Sequence, residues 1–406
     1  MTRTRTRVAF ATPGALDGGG IGRMTDYIVD QLGTRGRRTG AGPDTVVLDT
    51  RGRGSVFLSP FYLAAALVQL AHMQVRGEVD AVHINVSERA SFLRKAAIQA
   101  AASLFGTPTV VHLHGASFID YFRGGPFARA ISRWLFRRCS RVIVLGHGWR
   151  DFLVEEVGID PGKVDVLYNA VPDFTGPDIE RTPPPSGDSA GEPVRLLVLA
   201  HLSERKGIGT LLHACALLKA RGFAFRLTLG GNGDIDGYRR MAGELGIADA
   251  CDFLGWVTRD QAHELIRSHQ MLLLPSTHEG LPMVILEALC ARLPVVTTPV
   301  GSIPEVLDHR ETALIVPVGE REALADAVRA LAADPELYRA VGEAGRRLFE
   351  EQFNIEGYCE RLCAVYDALS RPGPRRPRRI PDGEPAPVLA DSRPPAEASL
   401  PRVGRR

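Results

Sequence analysis

The sequence predicts an α/β protein of two domains, each built around a parallel β-sheet flanked by helices. The chain has 406 residues, of which 45% are hydrophobic, and a single core rarely grows beyond about 250–300 residues. Short β-branched runs alternate with helical patterns, which is typical of parallel, doubly wound sheets. The alternation stops once, in a Pro-rich stretch, and then restarts, so two such arrays are predicted.

The two arrays set the predicted domain boundaries. The first predicts strands at residues 8–11, 45–48, 81–84, 109–113, 142–145 and 164–167. The second predicts strands at residues 195–199, 226–229, 252–254, 271–274, 295–297 and 313–316. We therefore expect one domain at 1–172, a solvent-exposed linker at 173–193 and a second domain at 194–352.

The C-terminal part of the chain is predicted to be helical and then unfolded. Helices are expected at 320–333, 336–351 and 355–369, and the last segment, 353–370, could pack back on the first domain. Residues 371–406 are rich in Pro and Arg and poor in apolar side chains, which predicts a disordered tail. Its basic residues could contact anionic lipid or an acidic partner, and a tail without a specific role is an equal alternative.

Composition and charge exclude several classes of protein. Much of the positive charge lies in the tail, so the net charge of +2 does not predict a nucleic-acid binder. The six cysteines form no C-x-x-C pair, and we interpret them as reduced thiols of a cytoplasmic protein. No signal peptide is predicted. Residues 56–75 are too polar and interrupted for a transmembrane helix, so a buried or half-buried helix starting near Pro60 is expected.

A glycine-rich turn at residues 18–23, GGGIGR, follows the first predicted strand and precedes a helix. Gly19 and Gly20 would let a ligand approach the backbone, and the N–H groups of a helix N-terminus suit a phosphate. Because the G-x-G-x-x-G spacing is not met, an NAD-dependent oxidoreductase is poorly supported. An ordinary strand-to-helix turn is the alternative.

Two charged motifs lie in the second predicted domain. Lys206 stands in LAHLSERKG, just before a predicted helix, where a cation could clamp a diphosphate; a solvated loop charge is the alternative. Glu279 and Glu287 stand in HEGLPMVILEA, after a strand, where open α/β sheets bind ligands. Two fixed carboxylates suit the adjacent hydroxyls of ribose and hexose rings. The apolar neighbours of Glu287 argue against an exposed helix face.

Together these motifs resemble the GT-B-fold glycosyltransferases, specifically the large retaining family 4, over residues 7–370. The resemblance depends on the Lys206-Gly207 turn combined with the Glu-x7-Glu element about 75 residues later. Further matching segments are residues 168–171, 230–233, 254–257 and 301–305. Residues 82–84 and 91–95 are similar to members that build extracellular polysaccharides.

The resemblance implies two Rossmann-like domains that face each other across a cleft. It also implies transfer of a sugar from a nucleotide-sugar donor to an acceptor, with retention of anomeric configuration. The expected acceptor is a lipid-linked or polysaccharide intermediate. Neither a metal nor a separate cofactor is expected, and the sequence shows no His/Cys cluster with metal-ligand spacing.

The resemblance also assigns roles to individual residues. Lys206 would hold the donor diphosphate, Glu279 would contact hydroxyls of the transferred sugar, and Glu287 would contact the ribose. His114 of the first domain would lie beside the donor sugar. The backbone near Trp256 and Val257 would contact the base of the donor. The other residues expected at the donor are Gly19, Gly20, His201, Gly231, Gly280, Leu281, Pro282 and Met283.

The chain departs from the family pattern at three places. His201 stands where the family usually has Arg, so neutralisation of the diphosphate would depend more on Lys206. Leu281 and Pro282 stand where Phe-Gly is frequent, and Gly146 replaces a frequent Ser. These departures concern the details of donor binding more than the activity.

A basic, aromatic segment at residues 118–138 is a candidate membrane contact. Arg129, Arg133 and Arg137 are four residues apart and share one helix face. Such a helix could rest on an anionic membrane and meet a lipid-linked acceptor. The alternative is a helix on the domain surface with solvated arginines and an aromatic inner face.

Two other functions stay open from the sequence. A sugar-nucleotide epimerase of the same fold would turn over the donor without an acceptor. A catalytically silent protein would bind the nucleotide sugar without transferring it, although Lys206, Glu279 and Glu287 together argue against this function.

Overall fold

The structure is a computed structural model that describes residues 6–13, 19–39, 42–52, 55–87, 90–176, 179–185, 187 and 192–370. The predicted tail at 371–406 lies outside the described residues, as does Gly18 of the glycine-rich turn.

Each half of the chain contains a six-stranded parallel sheet, which confirms the predicted fold class. The first sheet, in the order β2-β1-β3-β4-β5-β6, consists of Arg7–Thr12 (β1), Asp44–Asp49 (β2), Ala81–Val86 (β3), Thr109–Leu113 (β4), Arg141–Val144 (β5) and Val164–Val166 (β6). The second, in the order β12-β11-β10-β7-β8-β9, consists of Val194–Leu199 (β7), Phe225–Gly230 (β8), Cys251–Gly255 (β9), Met271–Leu274 (β10), Val295–Thr297 (β11) and Leu314–Ile315 (β12). All the predicted strands are present, with their ends shifted by two residues at most.

Helices connect the strands in both halves. Those of the first half are Gly19–Thr39 (α1), Ser59–Val75 (α2), Ala90–Leu104 (α3), Phe118–Arg123 (α4), Pro126–Arg138 (α5) and His147–Phe152 (α6). Those that follow are Ile208–Ala220 (α7), Ile235–Glu244 (α8), Arg259–Ser268 (α9), Met283–Cys290 (α10), Ile303–Val306 (α11), Arg321–Ala333 (α12), Pro335–Leu348 (α13) and Ile355–Ser370 (α14). Among the described helices, none combines the length with the hydropathy that a bilayer crossing requires.

The two sheets are joined by a shared apolar core. Its buried side chains include Phe10 of β1, Tyr27 of α1, Ile285 of α10 and Tyr358 of α14. Two further apolar cores each lie within one half of the chain. The strands read as continuous apolar runs because both faces of a parallel sheet are covered.

The C-terminal helix α14 returns to the first half of the chain. The backbone of Val171 donates to the carbonyl of Phe353 (2.9 Å) and accepts from the N–H of Ile355 (3.1 Å). Further along the helix, the buried Tyr366 hydroxyl lies 2.8 Å from Nδ1 of His83 in β3. Helix α14 also packs against α1, so it bridges the two halves.

The predicted exposure of the linker at 173–193 is wrong for part of its described residues. The Arg181 guanidinium donates to the carbonyls of His269 (2.6 Å), Ile266 (2.5 Å) and Ala291. Pro184 is buried as well. Proline-rich composition indicated solvent exposure, but the polar backbone groups of the second domain bind the segment to its surface.

Arg346 of α13 fixes the start of this linker. Its buried guanidinium lies 2.6 Å from Oδ2 of Asp173, 2.6 Å from Oε1 of Glu350 and 2.7 Å from the carbonyl of Cys290. Burial opposes ionisation of Asp173, but hydrogen bonds from Arg346 and the backbone hold the pKa of that carboxyl well below its usual range.

Substitution of Arg346 by Met would leave the carboxylates of Asp173 and Glu350 without their guanidinium. We expect the free energy of unfolding to fall by about 2 kcal/mol, because a hydrogen bond to a charged group contributes roughly 1.5–3 kcal/mol and the carboxylates left behind are partly exposed. The matched control is Arg221→Met, which breaks an exposed pair with Asp326 and should cost less than about 1 kcal/mol. Urea denaturation measures both losses, and equal losses would contradict this account.

Candidate active site

The loops that follow β7 and β10 meet at the carboxyl edge of the second sheet. These strands are neighbours in the sheet, so their ends lie side by side. Gly207 has a positive φ of 68°, and a Cβ there would lie only 1.9 Å from the carbonyl oxygen of Pro275. A glycine is therefore required for the close approach of the two loops.

Lys206 and Glu279 form an ion pair at this edge. Nζ of Lys206 lies 2.5 Å from Oε1 of Glu279, and both side chains are mostly buried. The hydroxyl of Ser276 donates to the same carboxylate oxygen over 2.7 Å. A backbone hydrogen bond from Thr277 to the carbonyl of Arg205 holds the two loops together. The structure thus brings together the two side chains for which the sequence predicted a role at a diphosphate and a sugar.

The loop that carries Glu279 is closed from the other side by Gly301. That residue has a φ of 59°, and a Cβ on it would lie 2.2 Å from the carbonyl oxygen of Glu279. The next residue, Ser302, donates its backbone N–H to the carbonyl of Gly280 over 2.9 Å. The loop after β11 therefore fixes the backbone on which Glu279 stands.

Glu287 lies one turn into α10 and is fully buried. Its partners come from α1 of the first half: Arg23 donates to both carboxylate oxygens (3.1 and 3.3 Å), and the Tyr27 hydroxyl donates over 3.1 Å. Burial raises the pKa of Glu287, while the charge and hydrogen bonds of Arg23 oppose that shift. The carboxylate predicted to contact ribose therefore joins the two halves of the chain here.

His114 follows β4 and faces the cleft from the first half of the chain. Nε2 of His114 lies 3.1 Å from Oδ1 of Asn85, and Nδ2 of Asn85 donates to the Thr25 hydroxyl over 2.9 Å. The His114 ring lies 3.8 Å from that of the buried His112. Burial, reinforced by the charge of His83, lowers the pKa of His114 to about 3. The imidazole is neutral at physiological pH, so it can offer a hydrogen bond but not a positive charge.

Glycines bring the two halves into direct contact. A Cβ on Gly280 would lie 3.3 Å from Leu145 and 3.6 Å from the carbonyl of His114, while one on Gly20 would lie 3.8 Å from Met283. Nearby, Asn169 donates its amide to the carbonyl of Leu281 over 2.7 Å. The glycine-rich turn and the 278–288 segment, chosen separately from the sequence, thus face each other.

A second contact between the halves involves Glu305. Its carboxylate accepts the backbone N–H groups of His147 (2.6 Å) and Gly148 (2.9 Å) at the start of α6. A Cβ on Gly146 would lie 2.3 Å from Oγ of Ser302. The family's frequent Ser at this position would therefore have to displace the side chains of Ser302 and Glu305 in this arrangement of the two halves.

The other expected donor contacts line the same edge of the second sheet. Gly231 lies so close to Ala200 that a Cβ would be 1.7 Å from the carbonyl oxygen of Ala200, and its N–H donates to Gly255 over 2.6 Å. Trp256 and His201 are exposed. Their exposed side chains can contact a ligand, while the hydrogen bond to Gly255 fixes the backbone at Gly231.

Several residues of the site were missed from the sequence. Arg23 and Tyr27 are one helical turn apart on α1. Arg23 is the last residue of the glycine-rich motif, so its place in that motif could have marked it as a site residue. Ser276 and Asn85 support Glu279 and His114 from isolated positions, and no local pattern marks them. Among the described residues, no group of three or more His, Cys, Asp or Glu side chains is placed to hold a metal ion.

Two parallel-sheet domains that face each other across a cleft, with a Lys–Glu pair at the edge of the second sheet, define the GT-B class of glycosyltransferases. Family models agree with this class over most of the chain. Residues 181–348 match the model for "Glycosyl transferases group 1" and residues 2–170 match that for "Glycosyl transferase 4-like domain". The chain belongs to the group 1 glycosyltransferases.

Individual relatives are distant. A segment covering 57% of the chain is 29% identical over 237 residues to the amylovoran biosynthesis glycosyltransferase AmsK of Erwinia amylovora, and it spans 54% of that protein. The 2-deoxystreptamine glucosyltransferase of Streptomyces kanamyceticus is 26% identical over 340 residues, which cover 79% of this chain and 86% of that one.

Solved structures share the fold at low identity. Sucrose-phosphate synthase of Thermosynechococcus elongatus superposes with a TM-score of 0.72 and 19% identity, covering 90% of this chain and 99% of that one. HepE of Anabaena, solved in complex with UDP-glucose, gives a TM-score of 0.69 and 17% identity, covering 90% and 100%.

Acidification should destabilise the protein through its buried histidines. Burial lowers the pKa of both His83 and His114 to about 3, against about 6.5 in an unfolded chain. Between these values the unfolded state binds more protons, so the free energy of unfolding falls as the pH drops below 6.5, by up to about 1.4 kcal/mol per pH unit for each histidine. Urea denaturation between pH 7.5 and 5 should show a shallower slope for His83→Gln. Equal slopes for the wild type and His83→Gln would contradict the lowered pKa of His83.

Substitution of Gly146 by Ala should weaken one contact between the two halves of the chain. The added methyl group would meet Oγ of Ser302 at 2.3 Å and Oε2 of Glu305 at 2.7 Å, so both side chains would have to shift. We expect the free energy of unfolding to fall by about 1 kcal/mol, because overpacking at a contact costs roughly 1–3 kcal/mol. The matched control is Gly125→Ala, since a Cβ there meets no heavy atom within 4 Å. Urea denaturation measures both losses, and equal stability of all three proteins would contradict this account.

Proposed function

We propose that this chain transfers a sugar from a nucleoside-diphosphate sugar to a lipid-linked or polysaccharide acceptor, with retention of anomeric configuration and without a metal. The observation that carries the proposal is the contact between Lys206 and Glu279 at the carboxyl edge of the second sheet. Glu279 lies in the loop whose Gly280 approaches the backbone carbonyl of His114 in the first half. The Lys206–Glu279 ion pair thus lies next to the segment of the first half that carries the neutral His114 imidazole.

Lys206 is suited to stabilise the leaving diphosphate. Its ammonium lies just before α7, whose first residue is Ile208, so the positive end of that helix points to the same region. Transfer of the sugar leaves extra negative charge on the β-phosphate. A fixed ammonium in a partly buried site stabilises that charge without reorganisation when the bond breaks.

Glu279 is suited to orient the transferred sugar. In the free protein its Oε1 accepts from both Lys206 and Ser276. A carboxylate offers about four acceptor positions on its two oxygens, so sugar hydroxyls can bind while Lys206 turns to the phosphate. The pair therefore keeps both charges neutralised until the donor replaces each partner.

Contact between Glu287 and the donor ribose requires a movement. The carboxylate is fully buried beneath Arg23 and Tyr27. A ribose hydroxyl reaches it only if α1 withdraws from α10 or if the Arg23 side chain swings away. We infer that the donor enters when the two halves of the chain are further apart than in this structure.

Relatives support the class of both substrates. HepE has been solved with UDP and with UDP-glucose, which supports a nucleotide sugar as donor. The names of AmsK and of the "Putative colanic acid biosynthesis glycosyltransferase WcaL" of Escherichia coli refer to amylovoran and colanic acid biosynthesis, which supports a polysaccharide acceptor.

Loss of Lys206 or Glu279 should abolish most of the turnover. A thermal-unfolding screen of nucleotide sugars identifies the donor first, since a ligand of the native state raises its stability. With that donor, Lys206→Met and Glu279→Gln should each lower kcat roughly a hundredfold or more, as removal of one transition-state partner does elsewhere. Lys219→Met, which removes an exposed lysine paired with Asp249, is the matched control.

The outcomes separate this function from its rivals. Full activity of Lys206→Met would remove Lys206 from the site, and loss of activity in chelator would contradict a metal-free reaction. Isomerised donor in the absence of acceptor would indicate an epimerase. Binding of the nucleotide sugar without any transfer to cell-derived acceptors would indicate a catalytically silent protein.

A further inference from the structure

Asn85 of β3 is buried and connects His114 to helix α1. Its Oδ1 lies 3.1 Å from Nε2 of His114, and its Nδ2 donates to the Thr25 hydroxyl over 2.9 Å. The backbone N–H of His114 donates to the carbonyl of Val86 over 2.8 Å, so the imidazole follows directly on the pairing of β3 with β4. The amide of Asn85 therefore has one partner on each side.

The hydroxyl of Thr25 decides which way the Asn85 amide faces. A hydroxyl has one proton and two lone pairs. Thr25 donates its proton to the carbonyl of Ile21, in the first turn of α1, over 2.9 Å. Because that proton is used, the hydroxyl of Thr12, 3.2 Å away, donates to Thr25. Thr25 can then only accept from Asn85, so the amide nitrogen faces Thr25 and the amide oxygen faces His114.

The opposite orientation of the amide forms one hydrogen bond fewer. If the nitrogen of Asn85 faced His114, its oxygen would take the proton of Thr25 away from the Ile21 carbonyl. The contacts of this group would then contain three hydrogen bonds where the arrangement in the structure has four. Thr12, Thr25 and Asn85 are all buried, and water does not replace a hydrogen bond that is lost there.

The orientation of the amide fixes the position of the proton on the His114 ring. The amide oxygen of Asn85 carries no proton, so Nε2 of His114 must carry one to form the hydrogen bond. Burial lowers the pKa of His114 to about 3, and a neutral imidazole has only one ring proton. Nδ1 is therefore unprotonated and presents a lone pair.

Nδ1 of His114 is accessible, in contrast to the ring beside it. Both ring nitrogens of His112, whose ring centre lies 3.8 Å away, are fully buried without a partner. Nδ1 of His114 forms no hydrogen bond within the described part of the chain, yet it is not one of those fully buried atoms. The accessible lone pair thus belongs to a residue whose backbone carbonyl approaches Gly280, next to Glu279.

We propose that Asn85 and Thr25 are positioning residues that hold His114 as the Nε2–H tautomer, so that its ring presents a hydrogen-bond acceptor to the transferred sugar. In the donor complex Nδ1 accepts from a hydroxyl or an amino group of that sugar. The single ring proton stays with Asn85, so His114 is not a general acid for the leaving diphosphate. The sugar contact rests on the proposed function, whereas the tautomer is a property of the free protein.

NMR of the histidine ring nitrogens in the full chain tests the tautomer without any donor, since protonated and unprotonated nitrogens have different chemical shifts. His114→Gln identifies the signals of His114 among those of the 11 histidines. In the wild type, Nε2 should be protonated and Nδ1 should not. Thr25→Val keeps the shape of the side chain but releases the amide, so a substantial share of the Nδ1–H tautomer should appear. Thr25→Ser keeps the hydroxyl and should keep the wild-type tautomer.

A double-mutant cycle on turnover shows whether Asn85 acts through His114. With the donor that the thermal screen identifies, Asn85→Leu should lower kcat/KM roughly tenfold, as residues in contact are strongly coupled. In the His114→Gln background the same change should cost less than about twofold, because no imidazole is left to position. The matched control is Gln99→Leu. It removes another buried amide of the first half, which donates to Ser103 over 3.2 Å, and it should leave kcat/KM unchanged.

Each other result overturns the proposal. A protonated Nδ1 in the wild type, or an unchanged tautomer in Thr25→Val, would contradict the orientation of the Asn85 amide. Equal losses from Asn85→Leu in both backgrounds would show that Asn85 only supports the fold. Thermal unfolding confirms that each variant is folded, and Thr25→Val takes the place of Asn85→Leu in the cycle if the latter is not. If the protein turns over no nucleotide sugar, the NMR measurement still decides the tautomer and only the proposed function is lost.

Discussion

The buried carboxylate of Glu287 is the charged contact that most constrains how the two domains lie relative to each other. A fully buried charge is stable only when it is paired, and its partners here, Arg23 and Tyr27, belong to the other domain. Helix α10 follows directly from the loop that carries Glu279. The Arg23–Glu287 ion pair attaches α10 to α1. It therefore also constrains the position of the Lys206–Glu279 pair relative to His114.

Parallel sheets explain why distant residues meet at the site. Lys206 and Glu279 are 73 residues apart in the chain, but β7 and β10 are adjacent strands whose carboxyl ends coincide. Gly207 and Gly301 then allow backbones to approach more closely than any side chain permits. The two kinds of constraint, strand order and glycine position, together place a cation and a carboxylate in contact.

A further consequence concerns the free protein. Glu279 is neutralised by Lys206 and Glu287 by Arg23, so both carboxylates proposed for donor binding are already paired. Donor binding on this account exchanges partners and does not fill an empty charged site. The exchange at Lys206 requires a side-chain rotation, whereas the exchange at Glu287 requires a movement of α1 or of Arg23.

The sequence by itself determined the two sheets, the class of protein and the segments that form the candidate site. Strand periodicity, glycine turns and charged motifs are local, and each predicts its own element without knowledge of the rest. Only the tertiary structure decided that Arg23 and Tyr27 hold Glu287 and that Arg181 attaches the linker. These features depend on contacts such as Arg23–Glu287, 264 residues apart, and a local pattern carries no record of which distant side chain will satisfy a buried charge.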